Sequence, residues 1–180
     1  MRCLVLILLA LVLSGPAAAA SLCGETDAEA LLSRLAGAWQ GAPRVSIETE
    51  TLSVVREGEV ESHALGAEGG FVTPLVEGFT GAPVMLALSA TPVQDVDGVD
   101  DLLDTVEAAD LADLLSDTPC GPEALPQFTG RFAVPGQVSG EVTLIAYFDD
   151  RVLMLTEAEL TGDWGLAFTT TAVLLTPAAP

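Results

Sequence analysis

The stretch that decides the fold is residues 132–176, FAVPGQVSGEVTLIAYFDDRVLMLTEAELTGDWGLAFTTTAVLLT. Four runs within it, 132–134, 142–148, 152–160 and 164–176, are rich in Val, Leu, Thr and aromatic residues. Such side chains suit a pleated, half-buried surface, so the runs read as strands. Between them lie 135–140, Asp149-Asp150 and Gly162-Asp163, with the Pro, Gly and Asp of tight turns. Strands joined this closely pair antiparallel, because a parallel partner needs a crossover of a dozen or more residues. The C-terminal third is therefore an antiparallel meander.

Upstream, 84–89 is a compact apolar strand bracketed by Pro83 and Pro92. Residues 71–76 read as an edge strand, since Pro74 cannot donate to a central ladder. Residues 66–70 form a loop, and 59–65 a short strand entered by a turn at Glu57-Gly58. In 44–57, Val45, Ile47, Thr49 and Thr51 alternate with polar residues, and then Leu52 and Val54 take the apolar phase. One strand with a bulge near Thr51 accounts for the slip. Residues 26–36 read as a helix, with Leu31, Leu32 and Leu35 on one face and Thr26 and Glu29 spaced as a capping box. A second helical pattern covers 93–118, with Val99, Leu102, Leu103 and Val106 as one stripe and Leu111, Leu114 and Leu115 as another. The predicted fold is mainly β, of the α+β kind. An antiparallel meander forms a barrel or strongly curled sheet, with an N-terminal helix and a helical insertion near 99–117.

The chain opens with Met1 and Arg2, an apolar run at 4–13, then Ser14, Gly15, Pro16 and alanines at 17–20. That is the order of a secretory signal peptide, with cleavage expected after Ala20. The run is too short to span a bilayer comfortably, so no stable membrane insertion is expected after cleavage. The domain plan is a signal peptide at 1–20, a single disulfide-stapled β-rich domain at 21–176 and a disordered tail at 177–180. Cys23 follows Leu22, not the small residue that precedes a lipid-bearing cysteine, so lipid anchoring is not expected. Cys3 leaves with the signal. Cys23 and Cys120 remain, and an even pair in an oxidising compartment bonds. The expected location is periplasmic or secreted.

The whole chain has a net charge of −20, with 26 acidic residues and no lysine. A surface this negative repels phosphate backbones and anionic lipids, which excludes nucleic acid as a partner. A solubility role for the charge is the simplest reading, with cation capture or a basic partner as the alternative.

At the start of the domain stands Leu35-Ala36-Gly37-Ala38-Trp39-Gln40-Gly41. This segment resembles the opening of lipocalin-like (calycin) proteins, in which a short helix leads into a G-x-W motif on the first barrel strand. The resemblance implies that Trp39 plugs the barrel floor and that the open end takes a small apolar ligand. It covers about seven residues. The family's arginine near the end of the barrel has no evident counterpart, Arg151 falling in a mid-meander turn, and the helical block at 93–118 departs from the usual plan.

Motifs of catalysis are missing. The one histidine, His63, lies in a strand beside no nucleophile elbow, and there is no Walker loop, dinucleotide fingerprint or H-E-x-x-H. The acidic stretch 95–104 can be laid on a calcium loop with Asp95, Asp97, Asp101 and Asp104 as ligands and Gly98 at the bend. Val93 stands where the first ligand belongs, which weakens the match. Acidic residues at the start of a helix, favoured by its dipole, explain the same pattern. No cofactor and no catalytic residue are expected. The expected function is a non-enzymatic binding module for a small apolar ligand or a protein partner. The alternatives are a structural or accessory envelope protein without a small ligand and a small carboxylate-based hydrolase.

Overall fold

The computed structural model describes residues 19–90, 118–121, 124–163 and 165–179. Its elements, in chain order, are α1 (Ala28–Leu35), β1 (Gly37–Gly41), β2 (Arg44–Thr49), β3 (Ser53–Glu57), β4 (Glu61–Leu65), β5 (Gly70–Val72), α2 (Pro74–Thr80), β6 (Val84–Met85), β7 (Ala87–Leu88), β8 (Gln127–Val134), β9 (Val138–Phe148), β10 (Arg151–Gly162) and β11 (Gly165–Pro177). The helical insertion expected near 99–117 and most of the signal segment lie outside the described residues.

The meander forms as the sequence predicts, β8 to β9 to β10 to β11, every pairing antiparallel. β1 and β2 both pair with β11 in one register, Trp39 opposite Pro177 and Arg44 opposite Ala172. They are therefore one long strand, interrupted at Ala42 and Pro43. β4 and β3 run back along it, with Gly41 opposite Glu61 and Arg44 opposite Glu57. Residues 58–60 thus face only Ala42 and Pro43, which is a bulge. The Gly58 amide donates to the Pro43 carbonyl across it at 2.7 Å. This bulge stands where a hairpin turn was expected at Glu57-Gly58. The real turn lies at 49–52, where the Thr49 hydroxyl accepts from the Thr51 and Leu52 amides. A side chain imitating a backbone turn explains the slip in alternation without a bulge at Thr51.

The circuit closes at residues 84–88. Val84 and Met85 pair with β5, while Ala87 and Leu88 pair with β8. Gly130 makes the close approach possible: a Cβ there would stand 2.6 Å from the Met85 carbonyl oxygen. Sequential antiparallel neighbours, with the last strand on the first, define a nearly closed up-and-down barrel. It stays incomplete beside β3, whose partner among the described residues is β2.

Inside, Trp39, Phe71, Phe128, Leu144, Met154 and Leu175 form a continuous buried core. α1 closes the floor with Leu31 and Leu35. Its N-cap is Asp27, whose carboxylate accepts from the Glu29 and Ala30 amides, not the expected Thr26. The Trp39 indole N–H donates to the Leu35 carbonyl at 2.9 Å, tying helix to floor. Residues 74–80, expected partly as edge strand, form α2 instead. Pro74 sits in its first turn, where the missing N–H costs nothing.

A second apolar cluster lies on the outer face of the meander, with Ile145, Tyr147, Leu153 and Leu155 at its centre. Cys23 and Cys120 pack against it and are joined as a disulfide, with Cα atoms 5.9 Å apart. The segment before Cys23 pairs beside the end of β9: Leu22 N–H donates to the Tyr147 carbonyl at 3.1 Å, and Ser21 bridges Phe148. Arg34 meets Asp149 at 3.6 Å, so α1 and the β9–β10 turn are held together.

Candidate functional site

Strand alternation places the site. Val45 and Ile47 stand opposite Thr171 and Thr169, so all four side chains share one face of the wall. That face points inward, because Val173 and Leu175, in phase on β11, are core. Leu160 on β10 is in phase with the core residues Met154 and Ala158. On β4, Glu61, His63 and Leu65 share the inward face, with His63 and Leu65 buried. Pro74 and Leu75 enter from the first turn of α2, and Pro43 from the break between β1 and β2.

Together these residues line a mouth of about 420 Å³ at the barrel end remote from α1. The size falls within the range of small-molecule pockets. Its walls are apolar apart from two threonines and the half-buried Glu61. Burial pushes the Glu61 carboxyl above its ordinary value of 4.5. No hydrogen bond or ion pair to Glu61 is found among the described residues.

One step deeper on the same strand is His63, 3% exposed. Its ring stacks on Phe71, centroids 6.0 Å apart and planes 4° from parallel. Neither ring nitrogen has a hydrogen-bond partner among the described residues. Burial pushes the imidazole below its ordinary value of 6.5, so it is neutral at neutral pH. Burial and stacking on Phe71 make this ring part of the core packing. The Thr156 hydroxyl is likewise buried without a partner among the described residues.

The calcium candidates Asp95, Asp97, Asp101 and Asp104 lie outside the described residues. Among the described residues, no group of three His, Cys, Asp or Glu is placed to hold a metal ion. No described helix is long and apolar enough to cross a membrane. A second depression of about 340 Å³ is bounded by Gly24, Leu88 and Leu125.

Sequence reasoning pointed to a pocket at the open barrel end but to none of its residues. A signal for Glu61 existed: it is a charge in phase with His63 and Leu65, on the apolar side of an alternating strand. Comparison with known proteins adds nothing to this geometry, since no family model, curated protein or solved structure matches the chain.

Proposed function

We propose that this protein is a secreted or periplasmic binding module, without enzymatic activity, that takes a small apolar molecule into the mouth of its barrel. The observation that carries the reading is the apolar mouth between β2, β10, β11 and α2. The floor at the other end is plugged by Trp39 and α1, so the mouth does not run through the barrel. The lipocalin-like G-x-W opening points the same way, and the signal-like start and the disulfide support export.

The test is titration with a neutral apolar dye, N-phenyl-1-naphthylamine, followed by fluorescence. Saturable binding is expected. Ile47→Trp, which fills the mouth, should abolish it with the melting temperature little changed. Phe168→Ser on the outer wall should leave it intact.

A second reading, docking of a protein partner, is favoured by the exposed outer face, where Phe168 is 51% and Val55 50% exposed. Dye binding lost in Phe168→Ser and kept in Ile47→Trp would refute the cup and leave that surface as the apolar site.

A further inference from the structure

We propose that the molecule held in this mouth is a small amphiphilic cation, an apolar body bearing one ammonium group that docks on the Glu61 carboxylate. The inference rests on the pocket reading above and adds the charge of the ligand's head.

Among the described residues, Glu61 is the one charged side chain lining the mouth. It sits on β4, hydrogen-bonded along its length to β1, and so cannot swing away as a loop residue could. Its phase along the strand aims it inward with His63 and Leu65. A carboxylate removed from water without a partner is costly, and a hydrogen-bonded cation is what offsets that cost. Arg34, Arg131 and Arg151 pair with Asp149, Glu141 and Asp150, none of which lines the mouth. The upward shift of the Glu61 carboxyl records the same partial desolvation.

The field of the whole molecule acts in the same sense. A chain of net charge −20 concentrates cations at its surface and repels fatty carboxylates. The cup is also two-sided in chemistry. Ile47 and Leu160 offer an apolar wall, while Thr169 and Thr171 add hydroxyls that can accept from a second ammonium N–H. A neutral alcohol of the same length would fill the apolar part and leave the carboxylate unpaired.

The experiment displaces N-phenyl-1-naphthylamine with octylamine, octanol and octanoate at neutral pH, where the amine is protonated. Octylamine should displace about tenfold better than octanol, the scale of one charge-assisted hydrogen bond at a partly open site. Octanoate should be the weakest. Glu61→Gln should bring the amine-to-alcohol ratio close to one and leave octanol unchanged. Glu59→Gln, an equal loss of charge at an exposed residue of the 58–60 bulge that does not line the mouth, should keep the ratio. If the dye binds and octanol displaces it but the amine has no advantage, the cation inference fails and the pocket reading stands. An advantage that survives in Glu61→Gln refutes it equally, since bulk charge would then be the cause. If the dye does not bind the wild type at all, the pocket reading fails and takes this inference with it.

Discussion

Replacing Cys23 and Cys120 together with serine removes a cross-link between residues 97 apart in the chain. In the chain-entropy view, a loop of that length restricts the unfolded ensemble by about 4.7 kcal/mol at 25 °C. Folded contacts change little by comparison, because both cysteines lie at the rim of the outer cluster, only partly buried. Unfolding entropy of about 2.1 cal/mol/K per residue, over the roughly 160 residues from Ser21 onward, amounts to about 0.34 kcal/mol/K. The double variant should therefore melt about 14 °C below the oxidised wild type. Circular dichroism of the strand signal during heating measures this. Wild type treated with a phosphine reductant provides the control, and should melt close to the variant. A drop below about 4 °C in both samples would refute the reasoning, because the unfolded chain would then not be feeling the loop. A large drop in the variant alone would mean that the serines, and not the lost cross-link, do the damage.

Protonation of His63 should make the fold acid-sensitive. Its folded value lies below 6.5, so the unfolded chain binds the proton first, and stability falls as pH drops through 6.5 toward the lowered folded value. His63→Phe should flatten that part of the stability-against-pH curve measured by urea unfolding; an unchanged slope would show that another group titrates there. Gly130→Ala should strain the closing seam, with the new methyl 2.6 Å from the Met85 carbonyl oxygen, at a cost of about 1–3 kcal/mol. Gly136→Ala, in the β8–β9 turn with nothing near its Cβ but φ at +73°, separates steric crowding from backbone strain. Equal losses in the two variants would argue against crowding at the seam.

The barrel was legible where alternation is long. β9, β10 and β11 each run for 11 residues or more, and their apolar phase and turn residues agree. β8 begins at Gln127, five residues before the sequence suggests, because Gln127 and Gly130 break the apolar pattern. Gln127 is nonetheless 2% exposed, and Gly130 is there for the neighbouring strand's approach. Neither reason exists until β6 and β7 are in place. α2 was unreadable for another cause: seven residues give less than two full turns of periodicity, and Pro74 fits an edge strand as well as a helix start. The capping residue moved by one, from Thr26 to Asp27, because both can accept at a helix start and only geometry separates them. The mouth was hidden because its walls come from β2, β4, β10, β11 and α2, five segments that alternation describes one at a time. The bulge opposite Pro43 leaves no compositional mark beyond a proline and Gly58.

The pairing of β1 with β11 also fixes the order of events as the chain is made. Trp39 leaves the ribosome early and must wait for Pro177, far later in the chain, before its strand gains the second neighbour. Until then the nascent protein carries an open β edge, the kind of feature that recruits other chains. A ring sealed by joining its two ends is slow to form, since so many contacts are remote in sequence. A net charge of −20 opposes that recruitment, since like-charged half-made copies repel one another.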